Sequence, residues 1–198
     1  MPTLKLEHFQ AQSLKPFSLE VKSEIICISG ASGSGKSILL RSIADLLEHQ
    51  GDVFLDNDKC SDTDPVQWRK WLGFLAAESA WWMDGVGEHF DNQGNEFITA
   101  LNLPKECLTW DIARCSTGEK QRLAIARLLE KKPKALLLDE PTASLDATNI
   151  HVVEELIKNY VEVNDAPVLW VSHDQQQIQR LSARELKIEN NKCVEHAL

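Results

Sequence analysis

The chain has 198 residues, with 21 Lys and Arg against 30 Asp and Glu, a formal net charge of −9. That length suits a single α/β core, and 43% hydrophobic with 26% charged residues excludes a disordered polymer. The acidic balance argues against wrapping nucleic acid or binding an anionic membrane through bulk charge.

No apolar run approaches the roughly 18–20 residues that cross a bilayer. Met1 to Gln10 lacks the basic region and apolar block of a secretory signal, so a cytoplasmic protein is expected. Five cysteines without a Cys-x-x-Cys pair read as reduced thiols.

In chain order, Leu4 to Phe9, Leu19 to Val21 and Ile25 to Ser29 read as strands, the last apolar on both faces as a buried central strand requires. A glycine-rich turn follows. Ile38, Leu39, Ile43, Leu46 and Leu47 then predict a helix over Lys36 to Leu47, stopping before Gly51. Val53 to Leu55 is a short strand, Pro65 opens a short helix carrying Trp68 and Trp71, and Leu72 to Leu75 is another strand. From Ala76 to Ala113, Gly85, Gly87, Gly94 and Pro104 punctuate short helical pieces, a small helical insertion. After it come helix Lys120 to Leu129, strand Ala135 to Leu138, helix Asn149 to Val163, strand Val168 to Val171 and helix Gln175 to Leu181. A hairpin-like segment through Leu186 and Ile188 ends the series. Strands alternating with helices imply right-handed crossovers and a largely parallel sheet.

Gly30-Ala31-Ser32-Gly33-Ser34-Gly35-Lys36-Ser37 matches the phosphate-loop pattern, between a buried strand and a helix start. Its backbone N–H groups suit β- and γ-phosphates, Lys36 neutralises phosphate oxygens and Ser37 presents a hydroxyl to Mg²⁺. Strand Ala135 to Leu138 runs into Asp139-Glu140, delivering two carboxylates to the same sheet edge. Asp139 is expected in the Mg²⁺ shell and Glu140 to orient or deprotonate the attacking water. A lone Asp-Glu before Pro141 would otherwise read as a turn cap.

Cys115-Ser116-Thr117-Gly118-Glu119-Lys120-Gln121-Arg122 resembles the signature motif of ATP-binding cassette (ABC) ATPases, and it lies between those two elements as in that family. Ala143-Ser144-Leu145-Asp146 resembles the family's D-loop, and Val171-Ser172-His173-Asp174 its switch histidine. The resemblance covers nearly the whole chain. It implies a P-loop NTPase with a mostly parallel sheet, an N-terminal antiparallel β portion and a short helical insertion. A core of residues 1–76 and 114–198 would carry a reduced helical subdomain at 77–113.

In the family, two such domains close head to tail around two ATP molecules. Carried over, Ser116 and Gly118 meet the γ-phosphate held by the opposite copy, flanked by Thr117 and Glu119. His173 contacts the γ-phosphate in cis, and Asp146 links the two sites.

The sequence departs from the family pattern at four places. Ile38 follows Ser37 where the family usually has Thr. Cys115, Thr117 and Glu119 replace Leu, Gly and Gln. Ala77 stands where the Q-loop glutamine belongs, with Glu78 either its substitute or a surface carboxylate. The aromatic that stacks on adenine is replaced by the stretch Gln12-Ser13-Leu14.

The resemblance implies the ATP-hydrolysing subunit of a transporter, peripheral on the cytoplasmic membrane face. It would use Mg-ATP, pair with a second copy and power a separate membrane-spanning partner, with no nucleic acid. Trp81-Trp82-Met83 is either a docking surface for that partner or packing for the insertion. Alternative readings are a soluble ABC-type ATPase acting on nucleic acid or ribosomes, and a regulatory module with negligible turnover.

Overall fold

The computed structural model describes residues 2–91 and 96–198; Gly94 lies outside them. The strands are β1 (Leu4–Ala11), β2 (Phe17–Val21), β3 (Ile25–Gly30), β4 (His49–Leu55), β5 (Asp58–Lys59), β6 (Leu72–Leu75), β7 (Ala135–Asp139), β8 (Val168–Val171), β9 (Arg184–Glu189) and β10 (Lys192–Ala197). The helices are α1 (Lys36–Ile43), α2 (Pro65–Trp71), α3 (Glu96–Ala100), α4 (Thr117–Glu130), α5 (Ala147–Asn164) and α6 (Gln175–Leu181).

Two sheets form. A four-stranded sheet has the order β2-β1-β4-β5 and a six-stranded sheet the order β10-β9-β3-β8-β7-β6. The first is antiparallel throughout, as expected for the N-terminal portion. In the second, β9, β3, β8, β7 and β6 run parallel and β10 pairs antiparallel along the edge.

Alternate residues of the central strands serve two different cores. Cys27, Leu136, Leu138, Val168 and Trp170 pack with α4, α5, α6 and the helical insertion. Ile26, Ile28, Leu137, Leu169 and Val171 face the opposite way, against α1, Trp68 of α2 and the antiparallel sheet. Burial on both faces explains why these strands read as continuous apolar runs.

Several boundaries differ from the sequence pattern, each for a local reason. Helix α1 ends at Ile43 and not Leu47. Asp45 adopts φ 56°, the Trp68 indole N–H donates to the Ile43 carbonyl at 3.1 Å, and Leu46 is left 46% exposed. Strand β1 puts Leu4, Leu6, Phe9 and Ala11 inside, with a step of three between Leu6 and Phe9. His8 at φ 45° lies within the register shift, a bulge that turns Phe9 back to the core. Helix α4 starts at Thr117, ahead of the expected Lys120, because Ser116 caps it. Among the described residues the insertion contains single turns at Val86–His89, Glu96–Ala100, Lys105–Thr109 and Ile112–Arg114.

Candidate functional site

Strand β3 ends at Gly30, whose φ of 143° and close neighbours leave no room for a side chain. A Cβ there would lie 2.7 Å from the Ile188 carbonyl and 2.8 Å from Ser34 Oγ. The chain then curls through Ala31, Ser32, Gly33 and Ser34, and Gly35 at φ 105° sets the start of α1 over Leu14. A helix N-terminus leaves its first amides without intrahelical partners and with partial positive charge, which suits a phosphate. Lys36 is buried, and its Nζ donates to the carbonyls of Gly30 at 2.9 Å and Ala31 at 3.1 Å. The ammonium is thus held directly inside the loop.

Parallel strands β7 and β8 carry their carboxyl ends to the same edge. Asp139, the last residue of β7, is only 3% exposed. Burial pushes its carboxyl above the usual value and the Glu140 charge adds to this, while the nearby Ser37 hydroxyl and the Arg41 and Lys36 charges oppose it. Glu140 follows with φ 48°, a left-handed conformation costly for a non-glycine residue, at about 1–3 kcal/mol. His173, two residues beyond β8, puts Nδ1 3.6 Å from Glu140 Oε2. A cleft of about 410 Å³ is lined by Gly30, Ser32, Gly33, Gly35, Lys36, Ser37, Ile38, Glu140 and His173. Ile38 also packs into the core beneath.

The signature segment lies apart from this cleft, at the N-terminus of α4. Ser116 and Glu119 form a reciprocal cap. Ser116 N–H and its hydroxyl both donate to Glu119 Oε2 at 2.8 Å, and Glu119 N–H donates to Ser116 Oγ at 3.2 Å. These bonds hold the Glu119 carboxyl below its usual pKa. Thr117 is exposed, and Gly118 packs so close to the Ser144 carbonyl that a Cβ on it would lie 3.1 Å from that oxygen. Asp146 caps α5, accepting from Asn149 N–H at 2.9 Å and its amide Nδ2 at 2.8 Å, which lowers its pKa. Arg122 of α4 donates to Asn149 Oδ1 at 3.0 Å and to the Leu101 carbonyl at 3.0 Å, joining the signature helix, the α5 cap and the insertion.

Neither Ala77 nor Glu78 lines the cleft; both are exposed just after β6. Trp81, Trp82 and Met83 follow in irregular chain. The Arg127 guanidinium of α4 lies 4.4 Å from the Trp81 ring centre and 4.8 Å from that of Trp82, and donates to the Ala80 carbonyl. His89 Nε2 accepts from the N–H groups of both Trp82 and Met83 at 3.1 Å, so its proton sits on Nδ1, 3.0 Å from the Gly85 carbonyl. Trp82 nonetheless remains 65% exposed beside a groove of about 430 Å³ that includes Phe74, Leu75, His89 and Arg127.

The family model described as "ABC transporter" matches residues 14–143, from the first β-turn through the phosphate loop, the signature and Asp139-Glu140. The chain belongs to the ABC transporter family. The probable iron export ATP-binding protein FetA of Escherichia coli is 35% identical over 175 residues, covering 82% of this chain and 77% of that protein. A phosphate import ATP-binding protein, PstB of Aeropyrum pernix, is 29% identical, covering 87% of this chain and 78% of its own. Among solved structures, a dimeric ATP-binding cassette in a post-hydrolysis state with ADP and Pi has a TM-score of 0.86 at 25% identity, covering 98% of both chains. A bacterial Atm1-family ABC exporter with ATP bound has a TM-score of 0.87 at 21% identity, covering 99% of this chain and 38% of its own. This chain is an ATP-binding subunit of the family and an ATPase.

As an ABC ATPase it brings Lys36, Ser37, Glu140 and His173 to one cleft, with Asp139 buried at the end of β7 next to Glu140, while Ser116, Gly118 and Asp146 lie outside that cleft. Sequence reasoning missed that Ser116-x-x-Glu119 is a capping box, although that spacing before an apolar helix is its recognised signal. The clasp of Arg127 by two tryptophans left no trace in the sequence.

Proposed function

We propose that this ABC ATPase powers a separate membrane-spanning partner, binding Mg-ATP between two head-to-tail copies of itself and hydrolysing it. The observation carrying this reading is the convergence of Lys36, Ser37, Glu140 and His173 on one cleft, with Asp139 buried next to Glu140 at the end of β7. The loop Gly30 to Ile38 holds the phosphates through its amides, and Lys36 exchanges its carbonyl partners for phosphate oxygens.

The Ser37 hydroxyl and the Asp139 carboxylate are hard oxygen donors side by side, a set that fits Mg²⁺, which takes few protein ligands and keeps phosphate and water for the rest. When bound, Mg²⁺ neutralises charge on the phosphate oxygens. Glu140 orients the attacking water and accepts its proton, and His173 contacts the γ-phosphate. Ser116 and Gly118 meet the γ-phosphate held by the other copy, helped by the positive end of α4. Asp146 links the two sites from the cap of α5.

Exposed Trp82 and Met83 beside the groove at Arg127 support docking of the membrane partner there, on the cytoplasmic membrane face. Cargo and direction belong to that partner, since relatives named for iron export and for phosphate import share this kind of chain. Among the described residues no helix is long and apolar enough to cross a membrane. The core 1–76 and 114–198 supplies the nucleotide chemistry, and the segment 77–113 the contact with the partner.

The test is Glu140→Gln. Turnover is expected to fall at least about a hundredfold, with ATP still bound and dimers accumulating. Unchanged turnover overturns the role given to Glu140.

A further inference from the structure

Behind the cleft lies a buried polar network that the proposed function does not use. Glu154, in the middle of α5, is 1% exposed. Its carboxylate accepts from Gln177 Nε2 at 3.0 Å and from Arg180 Nη2 at 2.9 Å and Nε at 3.3 Å, all on α6. His151, one turn earlier, places Nδ1 3.4 Å from Glu154 Oε2. Burial alone would raise the Glu154 pKa, but the hydrogen bonds from Arg180 and Gln177 and the Arg180 and His151 charges bring it below the usual value. The group is therefore a fixed carboxylate.

The Gln177 amide is the hinge of this network. Its second N–H donates to Thr142 Oγ1 at 3.0 Å, and both Gln177 and Thr142 are buried. The Glu154 carboxylate fixes which end of the amide faces it, since a carbonyl turned toward a carboxylate would be repelled. Thr142 stands just after Glu140 and Pro141, in the turn that holds Glu140 in its left-handed conformation. Gln177 lies in the first turn of α6, immediately after His173 and the capping residue Asp174. A small cavity of about 160 Å³ between them is lined by Glu140, Thr142, His173 and Gln177. One amide, with both protons committed, thus ties the turn that carries Glu140 to the helix that follows His173.

We propose that Glu154 is a positioning residue for ATP hydrolysis, orienting Gln177 so that the Glu140 turn and the His173 loop keep their separation. The proposal rests on the roles given above to Glu140 and His173. Glu154 itself lines neither the phosphate-loop cleft nor the small cavity. It acts through Gln177, so the effect belongs to the chemical step and not to ATP affinity, because the loop Gly30 to Ile38 is not part of the network.

The test compares Glu154→Gln, Gln177→Leu and the double variant in the full chain, reading kcat, KM for ATP, affinity for a fluorescent ATP analogue and Tm. Each single variant is expected to lower kcat about tenfold or more, with KM and analogue affinity unchanged. Because Glu154 acts through Gln177, the double variant should lose no more than Gln177→Leu alone. Thr142→Val, which removes the far end of the bridge, should show the same split and keeps the test open if Gln177→Leu fails to fold. A normal kcat in Gln177→Leu or Thr142→Val overturns the proposal, as does a full further loss from Glu154→Gln in the Gln177→Leu background. Glu140→Gln run alongside separates the two levels. If it abolishes turnover while the network variants keep kcat, only the positioning role falls; turnover surviving Glu140→Gln overturns both.

Discussion

Replacing Glu119 tests whether the departures in the signature segment are structural choices. In the structure Glu119 Oε2 accepts two hydrogen bonds from Ser116, while Ser116 Oγ accepts one from Glu119 N–H. Glu119→Ala removes the first two and leaves the third. Losing two of the three hydrogen bonds of such a cap at a partly exposed helix start costs about 1 kcal/mol. For a chain of this length that lowers Tm by about 2–4 °C.

The same contact has a pH signature. Its hydrogen bonds with Ser116 hold the Glu119 carboxyl in the folded state below the ordinary glutamate value that it has when unfolded. Their contribution is therefore fully present above that ordinary value and is lost as pH falls through the lower folded pKa. Urea unfolding of Glu119→Ala and the native chain should differ by about 1 kcal/mol at pH 7 and converge in acid. Equal stability at pH 7, or a gap that stays constant into the acid range, refutes the reasoning. The functional counterpart is Glu119→Gln in a Glu140→Gln background. In the proposed dimer the other copy's γ-phosphate approaches this charge, so removing it should lower the ATP concentration needed for dimerisation, measured by light scattering.

Two further substitutions probe other levels of the structure. Gly51→Ala should destabilise the antiparallel sheet by at least about 2 kcal/mol, measured as the urea midpoint. At φ 77° its new Cβ would lie 2.6 Å from the Glu7 carbonyl and overlap that of His8, in the β1 bulge; native-like stability would show that the bulge gives way freely. Trp82→Ala should change stability by no more than about 1 kcal/mol, the loss of one cation–π contact with Arg127. It should nevertheless abolish copurification with the proposed membrane partner, and undiminished copurification would remove Trp82 from the proposed docking surface.

Much of this protein was determined by local sequence. A strand, a glycine-rich turn and a helix in immediate succession leave the phosphate loop little freedom, and Asp139-Glu140 ends an apolar strand whatever its neighbours are. Helices α5 and α6 were likewise readable from periodicity, and strand β8 from its short continuous apolar run. Even the Ser116–Glu119 cap was written in a four-residue spacing.

Tertiary structure decided what depends on partners far along the chain. A strand apolar on both faces does not say which neighbour it takes, so the order β9-β3-β8-β7-β6 and the division into two cores came only with packing. The end of α1 was set by Trp68 reaching Ile43 from another helix. The clasp of Arg127 by Trp81 and Trp82, and the Glu154–Gln177–Thr142 network, join residues more than twenty positions apart. Such pairs have no periodic signature, because the sheet order alone brings the two segments together. The net negative charge of the chain fixed none of these; a buried carboxylate such as Glu154 is placed by the donors that surround it.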